Sequence, residues 1–300
     1  MNTYLFPGQG SQQVGMGKEL FSAFRGWLEE ADDVLGYSLK ALCLEDTEGK
    51  LNRTEYTQPA LYVVGVLAYR KALEEGPPPH YVAGHSLGEY VALYASGAFD
   101  FATGLRLVQK RGSLMAQASG GGMAAVIGLS AEVVEAVLQQ PALDGMQPAN
   151  YNAPTQTVIS GPAPAVERAQ KAFEDVGCQR FVPLRVSGAF HSSKMEPARK
   201  AFVRFLREFD FKSLSIPVIS NVEARPYKAS RIKELLADQI THPVRWTESI
   251  RYLMGKGVKS FEEIGPGRVL TGLVKRIQRE SEPLIVQEEP TYFYDGAVSD

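Results

Sequence analysis

A short strand, a glycine-flanked turn and a helix follow one another within residues 80–97, HYVAGHSLGEYVALYASG. The apolar run from Tyr81 to Ala83 precedes GHSLG, and apolar residues at helical spacing follow it. A G-x-S-x-G sequence in this context is typical of a nucleophile elbow, where two glycines let the backbone turn sharply without a clash. The pattern therefore predicts that Ser86 protrudes at the end of a strand. A purely structural turn remains the alternative, because the five-residue match recurs by chance.

Apolar strands alternate with helical segments along most of the chain, which predicts an α/β fold with a mostly parallel sheet. Within residues 123–187 the order changes to strand, helix, strand, strand, helix, strand, the βαββαβ order of a ferredoxin-like unit. We therefore expect a large subdomain made of residues 1–122 and 188–280, with the ferredoxin-like small subdomain inserted between them. Residues 281–300 have no clear periodicity and are interpreted as a tail or linker.

The composition excludes several classes of protein. With 300 residues, 44% hydrophobic and 22% charged, the chain is expected to be soluble and to bury a large core. The net charge of -2 and the lack of a long basic run disfavour a nucleic-acid partner. Neither the two cysteines nor the four histidines show metal-ligand spacing, so no metal site is expected. Without an apolar leader or span, we expect a cytoplasmic protein with no membrane contact.

A serine nucleophile needs a base, and the chain offers four histidines. His80 follows a proline run on an expected surface loop, and His85 is expected to point away from Ser86. His242 could cap or pack a helix end. His191 is the best candidate, since it lies in a glycine-containing loop where the chain returns from the small subdomain to the large one. A structural role for His191 stays open, and no acid is apparent as a third member of a triad.

Arg111, near the end of a predicted helix, has two interpretations. It is either a solvated charge that complements the helix dipole, or a bidentate ligand for a carboxylate in an acyl group. A planar guanidinium supports the second role, which lysine would not.

Seven segments together resemble the malonyl-CoA:acyl-carrier-protein transacylases and the acyltransferase domains of polyketide synthases. The resemblance covers about residues 3–280, in order and at compatible spacing, and it implies an α/β-hydrolase-like large subdomain with a ferredoxin-like insertion. Seven blocks are far more specific than any single one. The segments are FPGQGSQ (6–12), TQPAL (57–61), GHSLGEY (84–90), RLVQKRG (106–112), GAFHS (188–192), HPVRW (242–246) and EIGPGRVLTGL (263–273).

The resemblance implies a ping-pong acyl transfer. Ser86, activated by His191, would attack malonyl-CoA to give a malonyl-serine ester, and the phosphopantetheine thiol of a holo acyl carrier protein would then take the malonyl group. The family places the oxyanion-binding N–H groups at the positions of Gln9 and Leu87. It also replaces the missing acid with a backbone carbonyl, here that of Gln239, which orients the histidine. No bound cofactor is implied.

The same resemblance suggests a substrate and a pathway. Arg111 matches the arginine that pairs with the malonyl carboxylate, and Gln58 matches a glutamine that lines the same cleft. Phe190 lies next to the histidine, where a phenylalanine in the family is associated with specificity for malonyl. A bulky residue at this position leaves no room for an α-methyl group. The Ala189–Phe190 pair departs from the Pro-Ser-His pattern of fatty-acid enzymes and looks more like trans-acting polyketide acyltransferases, which are sometimes joined to or associated with other synthase domains. A role in fatty-acid synthesis is the alternative.

Other functions remain as alternatives. A thioesterase or acyl hydrolase could use Ser86 and His191 to release acyl groups to water, although Arg111 would then be an unpaired charge beside a simple acyl chain. A carrier-binding module with a decayed site would have lost these residues, and all are present. A nucleotide-binding loop at GQGSQ lacks the GK[ST] ending.

Overall fold

The computed structural model describes residues 1–186 and 188–286, which contain two separate β-sheets. The strands are β1 (Asn2–Phe6), β2 (Tyr81–Gly84), β3 (Gly121–Ile127), β4 (Gln147–Ala153), β5 (Gln156–Pro162), β6 (Arg180–Pro183), β7 (Val218–Ile219) and β8 (Ser260–Glu263). In the first sheet four parallel strands lie in the order β7, β2, β1, β8. The parallel sheet expected from the alternating pattern is confirmed.

Helices flank both faces of this sheet, so its central strands are buried. Strand β1 lies between two neighbours and is buried from Thr3 to Phe6. The flanking helices are α1 (Lys18–Ala23), α2 (Arg25–Leu35), α3 (Leu39–Leu44), α4 (Thr54–Glu75), α5 (Gly88–Ala95), α6 (Phe101–Ala116), α9 (Glu196–Leu206), α10 (Ile232–Asp238), α11 (Trp246–Gly255) and α12 (Val269–Glu280).

The second sheet is antiparallel, in the order β4, β5, β3, β6. Helices α7 (Ala131–Leu138) and α8 (Ala163–Asp175) connect its strands and complete a βαββαβ unit with its own apolar core. The ferredoxin-like order expected from the sequence is therefore confirmed. Strand β3 begins at Gly121, upstream of the expected boundary at 123, and the subdomain boundaries themselves stay a prediction.

Strand β4 of the second sheet is hydrogen-bonded to the segment between α10 and α11. The Tyr151 N–H donates to the Val244 carbonyl at 2.9 Å, and the Val244 N–H donates to the Ala149 carbonyl at 2.9 Å. Val244 lies in the segment between α10 and α11, so the small subdomain is fixed to the same part of the chain that contains Gln239 and His242.

The expected tail is only partly described. Leu284 donates its N–H to the Arg251 carbonyl at 3.0 Å, which places residues 281–286 against α11. Residues 287–300 lie outside the described residues. In the described part of the chain, none of the helices is long and apolar enough to cross a membrane.

Candidate active site

The turn after β2 has the geometry expected of an elbow. Ser86 has a φ of 50°, in the left-handed region that few residues other than glycine occupy. A Cβ on Gly84 would lie 1.9 Å from the Gly88 carbonyl carbon, and a Cβ on Gly88 would lie 2.0 Å from the Phe6 carbonyl oxygen. Both glycines are therefore required for the close approach of the backbone, and Ser86 is held between the end of β2 and the start of α5.

Asn221, which follows β7, supports this strained turn. Its side-chain oxygen accepts the Ser86 N–H at 2.7 Å, and its side-chain nitrogen donates to the Gly84 carbonyl at 2.7 Å. Asn221 is 1% exposed, so water does not compete for these hydrogen bonds. Asn221 was not predicted from the sequence, although an asparagine two residues after a buried strand was a usable signal.

His191 lies beside Ser86. Its Nε2 is 2.8 Å from the Ser86 Oγ, while its Nδ1 is 2.7 Å from the Gln239 carbonyl oxygen and 3.2 Å from that of His242. Because both partners of Nδ1 are acceptors, Nδ1 carries the proton and Nε2 is free to accept one from the serine. The structure therefore places a serine, a histidine and a backbone carbonyl in the order of a catalytic triad.

The surroundings of His191 favour its neutral form. Burial and, to a smaller extent, the positive charge of Arg111 together lower the pKa of this imidazole from 6.5 to about 3. The Gln239 carbonyl acts in the opposite sense, since it stabilises the protonated ring. A neutral imidazole is the form that can accept the serine proton.

This lowered pKa predicts an acid-sensitive contribution to stability. Between about pH 3 and 6.5 the unfolded chain binds a proton at His191 and the folded chain does not, so the free energy of unfolding falls as the pH decreases. Relative to the His191→Asn variant, the protein should lose about 2 kcal/mol between pH 7 and 5. Urea unfolding at both pH values measures this difference, and a comparison at pH 7 and 8 is the internal control. An equal acid response in both proteins would contradict the prediction.

Arg111 is 1% exposed, so its interpretation as a solvated charge is wrong. Its Nη1 donates to the Gln58 side-chain oxygen at 2.8 Å, and its Nη2 donates to the Gln239 side-chain oxygen at 2.8 Å and to the Ser86 Oγ at 3.1 Å. None of these three acceptors is a carboxylate. A buried guanidinium whose hydrogen bonds reach only amide and hydroxyl oxygens can gain much from a carboxylate ligand placed beside Ser86.

A small cavity of about 90 Å³ lies in front of Ser86, between the two subdomains. The remaining residues singled out in the sequence border it: Gln9 and Leu87 near the turn, and Phe190 beside His191. The Gln9 side chain donates to the Thr54 hydroxyl at 3.2 Å. The other members of the lining are Gln58, His85, Arg111, Met115, Met123, Asn150, Leu184 and Val186.

The other histidines are not arranged to act on Ser86. His80 is exposed, and the His85 Nε2 is 2.8 Å from the Asn152 side-chain oxygen, on the small subdomain. The ring of His242 contacts the Asp238 carbonyl, which is consistent with a helix end, while its own carbonyl faces His191. Within the described ranges, no group of three or more His, Cys, Asp or Glu side chains could hold a metal ion.

A strained strand-to-helix turn that presents a serine to a neutral histidine is typical of the class of serine-dependent acyl-transfer enzymes. The family model described as "Acyl transferase domain" matches residues 3–290, so the chain belongs to the acyl transferase family.

Individual relatives agree with this assignment. The chain is 56% identical to the polyketide biosynthesis malonyl CoA-acyl carrier protein transacylase BaeC of Bacillus velezensis, over 94% of this chain and 98% of BaeC. It is 43% identical to the malonyl CoA-acyl carrier protein transacylase of Bacillus subtilis, over 96% of this chain and 94% of that protein. The crystal structure of malonyl CoA-acyl carrier protein transacylase from Burkholderia pseudomallei superimposes with a TM-score of 0.91 at 50% identity, covering 94% of this chain and 99% of that one.

Proposed function

We propose that this chain transfers a malonyl group from malonyl-CoA to the phosphopantetheine thiol of a holo acyl carrier protein, through an ester on Ser86. The observation that carries the proposal is the buried Arg111 guanidinium, 3.1 Å from the Ser86 Oγ and without a carboxylate among its hydrogen-bond partners. A malonyl thioester brings a carboxylate to this position while its carbonyl carbon faces the serine. The names of the relatives support both the donor and the acceptor.

The first half-reaction forms the ester. The Ser86 Oγ attacks the thioester carbon while the His191 Nε2 takes the serine proton. The N–H groups of Gln9 and Leu87, both at the cavity, stabilise the negative oxygen of the tetrahedral intermediate. When the C–S bond breaks, the CoA sulfur leaves with the proton held by His191.

The second half-reaction reverses these roles. The Nε2 of His191 takes the proton of the carrier-protein thiol, whose sulfur attacks the ester carbon, and the proton returns to the Ser86 Oγ as the ester bond breaks. The acid usually found in a triad is replaced by the Gln239 carbonyl, which fixes the imidazole tautomer without adding a negative charge. No bound cofactor takes part in either step.

Arg111 and Phe190 determine which acyl group is accepted. The guanidinium binds the free carboxylate of malonyl. The Gln58 side-chain oxygen accepts a hydrogen bond from the guanidinium and helps to hold it in place. Phe190 is buried at the cavity wall beside His191, and its bulk is expected to leave no room for an α-methyl group on the acyl chain. Malonyl is therefore preferred over both acetyl and methylmalonyl.

The pathway is inferred from relatives and from the Ala189–Phe190 pair. BaeC, whose name assigns it to polyketide biosynthesis, is 56% identical, whereas the Bacillus subtilis transacylase is 43% identical. We infer that this chain supplies malonyl groups to polyketide carrier proteins in trans, in association with other synthase domains.

Intact-protein mass spectrometry tests the proposal. The protein is incubated separately with malonyl-CoA, acetyl-CoA and methylmalonyl-CoA, and holo carrier proteins are then added. The expected result is a malonyl adduct on Ser86 that moves to a carrier protein, with much less acetyl and methylmalonyl loading. Release of CoA without a lasting adduct and without a loaded carrier would show that water is the acceptor, and would replace the transferase by a hydrolase.

A further inference from the structure

Glu89, in the first turn of helix α5, is a fully buried acid that the mechanism above does not use. Its Oε1 accepts the Asn221 N–H at 2.7 Å, and its Oε2 accepts a short hydrogen bond from the Gln239 side-chain nitrogen. Tyr227 lies beside the same carboxylate. Each oxygen of Glu89 is thus bonded to a different segment of the chain.

The first of these segments controls the backbone on both sides of Ser86. Asn221, whose main-chain N–H is bound by Glu89, uses its side chain to bond the Ser86 N–H and the Gly84 carbonyl. The Glu89 carboxylate therefore fixes the residue that supports the strained φ of Ser86.

The second segment controls the partners of Ser86. The Gln239 side-chain nitrogen donates to the Ser86 carbonyl at 2.9 Å as well as to Glu89. Its side-chain oxygen accepts from Arg111 at 2.8 Å, and its backbone carbonyl accepts from His191 at 2.7 Å. A single residue therefore contacts the serine, the histidine and the arginine of the site.

Glu89, the Ser86 carbonyl and Arg111 together fix the direction of the Gln239 amide. A carboxylate only accepts hydrogen bonds, so it requires the nitrogen of the amide on its side. The amide oxygen must then face Arg111, which only donates. A donor at the position of Glu89 would face the Gln239 nitrogen, so one of the interactions that hold this orientation would be lost.

We propose that Glu89 is a positioning residue for acyl transfer at Ser86. Its two oxygens fix the positions of Asn221 and Gln239. These two residues in turn hold the serine, the histidine and the arginine in their relative positions. Glu89 does not contact the reacting atoms. The inference rests on the proposed function for its reaction, although it concerns any chemistry that Ser86 performs.

Burial and the surrounding polar groups act on the Glu89 carboxyl in opposite directions. Burial raises the pKa of this carboxyl to about 7, and the hydrogen bonds from Asn221 and Gln239 and the Arg111 charge oppose this rise. The hydrogen bonds that favour the ionised form are the same ones that join Glu89 to Asn221 and Gln239.

The Glu89→Gln variant tests the proposal. Glutamine replaces one of the two carboxylate oxygens with an NH2 group, so either the Asn221 N–H or the Gln239 side-chain nitrogen would face another donor. We expect the rate constant for malonyl loading, per mole of folded protein, to fall about 100-fold, because displacement of a reacting group by about 1 Å has an effect of this size. Glu89→Asp, whose carboxylate is one methylene shorter, is measured in parallel and should be impaired similarly, and it serves as the test if the glutamine variant does not fold.

A matched control is available at Glu263. This glutamate is also buried, at 6% exposure, and it accepts hydrogen bonds from Leu270 and Thr271 at the start of α12. Its hydrogen bonds do not involve the residues around Ser86. The Glu263→Gln variant should therefore keep the loading rate constant of the unmodified protein, although it too loses a buried, hydrogen-bonded carboxyl group.

A double-mutant cycle separates positioning from a structural effect. Gln239→Met removes the amide and keeps the backbone carbonyl that faces His191. If Glu89 acts through Gln239, the combined variant with Glu89→Gln should be little slower than the slower single variant. Rate losses that multiply would overturn the route through Gln239, and a Glu89→Gln variant that loads malonyl at the original rate would overturn the whole proposal.

A second reagent makes the inference independent of malonyl. Phenylmethylsulfonyl fluoride reacts with an activated serine: the Oγ–S bond forms, fluoride leaves, and His191 takes the proton. Glu89→Gln should slow this reaction as well, and Glu263→Gln should not. If malonyl-CoA fails to load the protein while sulfonylation still depends on Glu89, the proposed function is wrong and the positioning role stands. If sulfonylation is unaffected by the Glu89 variants, the positioning role is wrong.

Discussion

Replacement of Ser86 by alanine should abolish covalent loading by malonyl-CoA, with a loss of about 10⁴-fold or more in the transfer rate. Alanine retains the backbone of the turn, but it removes the oxygen that lies 2.8 Å from the His191 Nε2. The ester then has no atom on which to form. Intact-protein mass spectrometry after incubation with malonyl-CoA gives the result directly.

The control for this experiment is Ser113→Ala, since Ser113 is an exposed serine on α6 that does not border the cavity. This variant should load malonyl at the original rate. Detection of a malonyl adduct on the Ser86→Ala protein, at any other residue and at a comparable rate, would remove Ser86 from its assigned role.

Replacement of Arg111 by alanine should change the choice of substrate. Truncating one partner of a buried charge pair costs about 2–5 kcal/mol, so malonyl loading should fall by about 30-fold to 5,000-fold. Acetyl-CoA has no carboxylate, and its loading should fall far less. Because the Arg111 charge lowers the pKa of His191, its removal also makes the histidine a stronger base. The ratio of malonyl to acetyl loading is therefore the quantity to measure.

Arg106→Ala is the matched control, because Arg106 is an exposed arginine on the same helix. It should leave both loading rates and their ratio unchanged. Equal losses of malonyl and acetyl loading in Arg111→Ala would show that the arginine supports the site in general and does not select the carboxylate.

Much of the fold could be predicted from local sequence. The elbow was recognisable from residues 84–88 and the strand and helix around them, because the two glycines allow an approach of the backbone that a side chain would block. The ferredoxin-like unit was also apparent, since its strands and helices are short, regular and close together in the sequence. The boundary near 123 was less clear, because the glycines at 121 and 122 look like a linker yet pair with β5.

The candidate site could be predicted only in part. Of the four histidines, His191 was preferred because of its loop, but spacing alone could not exclude a structural role. Arg111 carried no signal that it was buried, because a charged residue on an amphipathic helix is usually exposed. The resemblance to a known family, and not the pattern of residues, pointed to the Gln239 carbonyl. Asn221 and Glu89 were not identified at all.

The sequence by itself determined the elements that depend on neighbouring residues: the strands, the helices and the turn that presents Ser86. Only the tertiary structure decided which groups meet there. The hydrogen bond between Ser86 and His191 joins residues 105 apart in the chain, and that between Ser86 and Gln239 joins residues 153 apart. Partners so far apart are brought together by the packing of the parallel sheet and the inserted subdomain, since local backbone preferences act only over a few residues.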